Sequence, residues 1–258
     1  LGGQVRARAM QMDPPSLVIT TFAIMVVSNV LCSKGLFGDD NKKVSDDNPT
    51  FITPDGKTFA VWGVIYLLEI AMVIAQAFPS DHAEELLSQR CAFTGLDVRE
   101  RISFAFLMNT VWLPFFSARC YWACCFIMLL YLAGLTSAYS AVNVWTTEGI
   151  LERVVYAAPL AANTSWVVVA FMLNLTICLR DLGWHDENRV GGSPAFAKGA
   201  IALVAGLGCQ RGFLPADLAW SLVAAHALMG ISRMQTEVDK VRFPILSMDA
   251  NIASWARW

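Results

Sequence analysis

The sequence predicts an all-α fold, a polytopic bundle of about seven transmembrane helices forming a single membrane domain over residues 1–258. Three observations carry that prediction. Of the 258 residues, 56% are apolar and only 16% charged, against a charged share of roughly 25% in a soluble domain. Seven apolar stretches approach the length of about 20 residues that a bilayer-spanning helix requires. The connections between them are too short to house a separate soluble domain.

The first stretch runs from Ser16 to Cys32 and carries no charge. Ahead of it, Arg6 and Arg8 lie in a segment that is neither a signal peptide nor a span. That pattern predicts a processed chain, as removal of an organellar presequence produces. The run from Arg6 to Met12 resembles mature N-termini of nucleus-encoded plastid membrane proteins. The following loop, Lys34 to Gly56, carries Asp39, Asp40, Asp46, Asp47 and Asp55 together with Pro49 and Pro54. It is expected to be solvated and turn-rich. Its aspartates lack EF-hand spacing and a closing Glu, so calcium is not expected there.

The second stretch, Thr58 to Phe78, is patterned. Phe59, Trp62, Tyr66, Glu69, Val73 and Gln76 recur at alternating steps of three and four, which places them on one helix face. A loop from Pro79 to Arg101 follows, with a short surface helix predicted around His82 to Arg90. The third stretch, Ile102 to Ala118, repeats the pattern through Ile102, Ala105, Asn109, Trp112 and Phe116. The fifth, Tyr156 to Leu179, does so through Pro159, Asn163, Trp166, Ala170, Asn174 and Ile177.

The other stretches read as packing elements. Small residues four apart occur on the fourth (Tyr121 to Trp145) at Ala133, Ser137 and Ala141. They recur at Ala202 and Gly206 on the sixth (Phe196 to Cys209), and at Ser221 and Ala225 on the seventh (Leu214 to Ser232). Such spacing lets helix backbones approach closely. The sixth has the shortest uncharged run, Gly199 to Gln210, and is tilted, re-entrant or extended through Lys198 and Arg211. His226 on the seventh is the one histidine inside a span. A neutral imidazole there ligates a metal or the magnesium of a tetrapyrrole, or donates to a backbone carbonyl, the commoner fate.

Cys91 lies in a loop, while Cys32, Cys120, Cys124, Cys125, Cys178 and Cys209 fall in or beside spans. No Cys-x-x-Cys pair with matching histidines occurs, so a metal centre is not expected and the thiols count as small apolar groups. The net charge of -2 gives no large basic field, which argues against nucleic acid as a partner. No catalytic constellation or phosphate loop is legible, so an enzyme is not expected. With seven spans, twelve Lys and Arg fall on the C-terminal side against seven opposite. The excess predicts a cytoplasmic or stromal C-terminus.

Polar side chains turn away from hydrocarbon, so the stripes of the second, third and fifth spans should converge. Two readings stay open. One is interhelical bonding by Asn109, Asn163 and Asn174; the other is a ligand chamber walled by Trp62, Tyr66, Trp112 and Trp166. Glu69 departs most from the first, because a carboxyl group in mid-span must be protonated, paired or metal-bound. Phe104, Phe106, Phe115, Trp122, Phe126 and Tyr131 read as outward-facing, towards lipid or neighbouring subunits.

The stripes also carry a family resemblance. Phe59-Ala-Val-Trp62-Gly-Val-Ile-Tyr66-Leu-Leu resembles the second-helix signature of the tryptophan-rich sensory protein or translocator family, TspO/MBR. Met108-Asn109-Thr-Val-Trp112-Leu-Pro114-Phe-Phe116 is similar to its third helix, and Leu160 with Trp166 to Asn174 to its fifth. Two departures stand out: Thr53-Pro54-Asp55-Gly56 replaces a Pro-rich approach to the second helix, and Pro159-Leu160 replaces a Pro-Tyr step. Glu69 lies outside the pattern.

The resemblance implies a five-helix core over 16–182, two additional helices over 196–232 as in longer members, and a C-terminal tail over 233–258. It also implies a pocket for porphyrins or other flat hydrophobic molecules, with Phe59, Trp62, Tyr66, Asn109, Trp112, Trp166, Phe171 and Asn174 as ligand-binding residues. Glu69, Gln76 and His226 are further candidates for holding a pigment. The expected ligands are a tetrapyrrole (porphyrin or chlorophyll), a carotenoid or a lipid. The expected setting is a plastid thylakoid membrane, with other membrane subunits as partners. An accessory subunit of a photosynthetic pigment-protein complex, without ligand sensing, is the alternative.

Overall fold

In a computed structural model of the chain, residues 13–213, 216–236 and 250–256 are described. The predicted processed N-terminus, with Arg6 and Arg8, lies outside the described residues, as do Lys240, Arg242 and Arg257. The described residues form an all-α assembly: α1 (Pro14–Ser33), α2 (Asn41–Asp47), a 3-10 turn (Gly56–Ala60) running into α3 (Val61–Ala75), α4 (Asp81–Leu87), α5 (Val98–Ser117) and α6 (Tyr121–Ala141). After these come α7 (Gly149–Glu152), a π turn (Arg153–Ala157), α8 (Ala158–Asp181), α9 (Pro194–Phe213), α10 (Leu218–Thr236) and α11 (Ala250–Trp255).

Local chemistry sets several helix ends. Asp13 caps α1 ahead of Pro14 and Pro15, whose missing N–H groups are not needed in a first turn. Asp97 and Glu100 form a reciprocal capping box on α5, each bond 2.8 Å long. Pro114 has no N–H for the carbonyl of Thr110, and Ser28 of α1 supplies the donor instead at 3.1 Å. That substitution welds α1 to α5. Pro159 likewise cannot bond the carbonyl four residues back, and the π turn sits where the ladder must be relaxed.

Four helical segments are long and apolar enough to cross a membrane: Pro14–Ser33, Gly56–Ala75, Tyr121–Ala141 and Gly149–Asp181. The chain is accordingly a helical integral membrane bundle. The other three predicted spans form helices of 19 or 20 residues without reaching that apolarity. The reasons are legible. α5 opens with Arg99, Glu100 and Arg101, α9 holds Lys198 and Arg211, and α10 holds His226, Arg233 and Gln235. Arg99 and Arg101 are buried inside the protein. Arg99 reaches Glu84 at 2.6 Å and Gln76 at 3.2 Å, while Arg101 donates to the carbonyls of Gln89, Asp97 and Ser137.

α5 packs along both α1 and α6, α6 continues onto α8, and α3 lies against α8 with a lighter contact to α1. Among the described residues no comparable backbone contact joins α3 to α5. α10 packs on α8, carries α9 on its other flank, and receives the turn before α3. There Asp55 donates its N–H to the carbonyl of Gly230 at 3.1 Å, and Arg233 clasps the Asp55 carboxylate at 2.9 and 3.1 Å.

Several sequence expectations are corrected. The Lys34 to Gly56 loop contains a helix, α2, capped by Asp40. Phe106 and Tyr131, read as outward-facing, are 1% and 0% exposed, whereas Phe115, Trp122 and Phe126 are indeed exposed. The small-residue contacts are shifted in register. Ala133, Ala202 and Gly206 are exposed, and close packing falls to Gly134 beneath Phe104 and to Gly208 beneath Ala224.

Candidate functional site

The face predicted on α3 turns towards α8. Phe59, Trp62 and Tyr66 are half-buried there. Four residues apart on one helix, Trp62 and Tyr66 stack with centroids 5.5 Å apart and planes 25° apart. Trp166 of α8 stands edge-on, 6.1 Å from Trp62 at 81°, and 5.8 Å from Phe59 at 86°. Phe59, Trp62, Tyr66 and Trp166 thus form one aromatic cluster. The Trp166 ring is 2% exposed, and its Nε1 has no hydrogen-bond partner among the described residues.

A polar chain lies on the side of the cluster nearest α1 and α5. The Tyr66 hydroxyl donates to Asn29 Oδ1 at 2.7 Å, and Asn29 Nδ2 donates to Asn109 Oδ1 at 3.1 Å. The same Asn29 nitrogen lies 2.8 Å from the carbonyl of Met25, which fixes the amide against its own helix. Asn109 therefore belongs with the cluster. Asn29 was missed in the sequence; its signal was a lone amide in an otherwise apolar span.

Deeper on α3, one turn beyond Tyr66, Glu69 is 1% exposed. Its Oε1 accepts from Asn163 Nδ2 at 2.6 Å. Asn163 Oδ1 accepts in turn from the Tyr131 hydroxyl at 3.0 Å. Glu69 Oε2 has no hydrogen-bond partner among the described residues. Tyr131 is the second residue the sequence reading misplaced: the structure makes it a support for this triad on α6. The predicted stripes on α3 and α8 do meet, and α6 completes them.

The remaining candidates separate from the cluster. Trp112 donates its indole N–H to Asn174 Oδ1 at 3.1 Å and packs on Phe116 at 5.3 Å; Asn174 also donates to the carbonyl of Ala170. That pair is a satisfied link between α5 and α8. Phe171 is half-buried on α8. Gln76 lies at the far end of α3, bonding the carbonyl of Pro15 and receiving Arg99. His226 Nε2 sits 3.1 Å from the carbonyl of Thr58, the commoner of its two predicted fates.

Outside the spans, the loop at this end of the bundle is tied by ionic contacts. His82 Nδ1 lies 2.9 Å from Glu152 Oε2, and that carboxylate holds the imidazole above its ordinary titration range. Arg99 holds the Glu84 carboxyl below the usual carboxylate range. The α4 segment is thereby pinned to α5 and to the turn that opens α8.

Comparison with known proteins completes these observations. A family model described as TSPO-like protein matches residues 16–256, a stretch that takes in α9, α10 and α11 as well as the preceding helices. No curated protein and no solved structure matches the chain.

Proposed function

The chain belongs to the TSPO-like protein family, and from that premise we propose that it is a non-enzymatic integral membrane protein that binds a flat hydrophobic ligand of the tetrapyrrole or pigment class at the aromatic cluster between α3 and α8. The observation that carries this reading is the half-buried Trp62–Tyr66 stack beside the Trp166 edge, with an indole N–H that nothing among the described residues satisfies. Structural packing alone does not call for it. Trp112, on the next stripe, shows what packing alone looks like, with its N–H bonded and its ring covered. A conjugated macrocycle or open-chain tetrapyrrole offers both a face for the stacked rings and acceptors for the indole.

The test is binding of protoporphyrin to the purified protein in nanodiscs, followed by quenching of tryptophan fluorescence. Trp62→Ala combined with Asn109→Ala removes half the stack and the anchor of Asn29, and should abolish binding. Unchanged affinity in that double variant refutes the assignment.

A second reading, favoured by the exposed rings Phe115, Trp122 and Phe126, is a subunit of a larger membrane assembly such as a plastid pigment-protein complex. Its expected sign is co-migration with other subunits on native gels of the source membrane. Migration as a free small protein speaks against it.

A further inference from the structure

The aromatic cluster by itself does not require a carboxyl group, and Glu69 is an unusual one. Ordinary membrane packing protonates, pairs or replaces a carboxyl group, because an unmatched polar atom in hydrocarbon is costly. Here one oxygen is matched and the other is not: Oε1 takes the Asn163 amide at 2.6 Å, and buried Oε2 has no partner among the described residues. The Asn163 amide is held in place by the Tyr131 hydroxyl, which lies 3.0 Å from its Oδ1 and 2.9 Å from its Nδ2. The carboxyl group is therefore oriented from two helices, with one acceptor position left open.

Three residues along α8 from Asn163, on the same helix side, the Trp166 indole is a buried donor in the same condition. Facing helices thus leave one acceptor and one donor unmatched among the described residues. A ligand matching both presents a hydrogen-bond donor to Glu69 and an acceptor to Trp166.

This inference rests on the ligand-binding reading above. We propose that Glu69 Oε2 recognises an N–H donor on the bound molecule, so that the site selects flat conjugated ligands with pyrrolic N–H groups, as open-chain tetrapyrroles have, over metal chelates that have none. Asn163 and Tyr131 are positioning residues that aim the carboxyl group.

The experiment uses two probes in nanodiscs: biliverdin, whose pyrrolic N–H groups are accessible, and nickel protoporphyrin, which has no N–H and takes axial ligands weakly. Glu69→Gln keeps an acceptor for Asn163 but turns the open position into an N–H donor. It should weaken biliverdin about tenfold, the scale of one hydrogen bond, and leave nickel protoporphyrin nearly unchanged. Tyr131→Phe, which frees Asn163, should shift the ratio of the two affinities in the same direction by a smaller factor, and it serves if the glutamine variant does not fold. An affinity ratio unmoved by either variant overturns the role of Glu69 while leaving the ligand reading intact. Binding of neither probe by the unaltered protein overturns the ligand reading itself.

Discussion

Replacing Gly230 by alanine tests how the last helices are joined to the turn that opens α3. A methyl group there would overlap the Thr58 side chain, whose Oγ1, Cγ2 and Cβ all lie within 2.8 Å of its position. Thr58 has little freedom to yield. Its hydroxyl bonds the Asp55 carboxylate and receives Arg233 at 3.2 Å, while its carbonyl meets His226 at 3.1 Å. The backbone of the turn must shift instead, lengthening the 3.1 Å bond from Asp55 N–H to the Gly230 carbonyl. Overpacking of this kind costs about 1–3 kcal/mol. At roughly 2–4 °C per kcal/mol for a chain of this size, Gly230→Ala should lower Tm by about 2–12 °C. A thiol-reactive dye reports the transition as buried Cys32 and Cys124 become accessible. Adding Thr58→Ala removes two of the three overlapping atoms and should recover about half of the loss, as coupled neighbours do. A Gly230→Ala protein that melts with the unaltered one refutes the close contact.

Three further outcomes are expected. Asn163→Leu strips Glu69 of its one donor and leaves the Tyr131 hydroxyl without its acceptor, so it should cost about 2 kcal/mol in the same melting assay; Glu69→Gln, which keeps an acceptor for Asn163, should cost well under half of that. Arg101 joins the Gln89, Asp97 and Ser137 carbonyls through one planar fork, and Arg101→Lys, which cannot span them, should destabilise the protein by about 1–3 kcal/mol. The Cys91 thiol, in the α4–α5 loop, is held down to about 7 by hydrogen bonds from the Thr94 backbone and side chain. Its alkylation should rise with a midpoint about pH 7, shift upward in Thr94→Ala, and proceed with an impermeant reagent from the face opposite the C-terminus.

The stripes on α3 and α8 were legible because polar and aromatic residues in an apolar helix mark its inner face, and α3, α5 and α8 follow the predicted periodicity closely. Burial of aromatics was not. In a membrane both lipid and core accept a phenyl ring, so nothing local distinguished buried Phe106 and Tyr131 from exposed Trp122 and Phe126. The same symmetry shifted the small-residue contacts by one position, from Ala133 to Gly134 on α6. Asn29 and Tyr131 enter the site through single side chains on α1 and α6, and no periodic pattern announces a lone contributor. Trp112 matches the spacing of its stripe, but its bond to Asn174, 62 residues away in sequence, is not a pairing that spacing announces. α2 is a seven-residue polar helix, short enough that its Asp40 cap was indistinguishable from loop composition. The docking of Asp55 and Thr58 on α10 depends on Gly230, Arg233 and His226 sharing one face, which sequence spacing alone did not tie to a turn so far upstream.

The most direct test of the ligand-binding account is the visible absorption spectrum of the protein, gently solubilised from its source membrane, recorded before and after titration with protoporphyrin. The account predicts a visible band that co-migrates with the protein or develops to saturation during titration, and that is lost in Trp62→Ala with Asn109→Ala. Absorption from protein aromatics alone, unchanged by the added pigment, contradicts it.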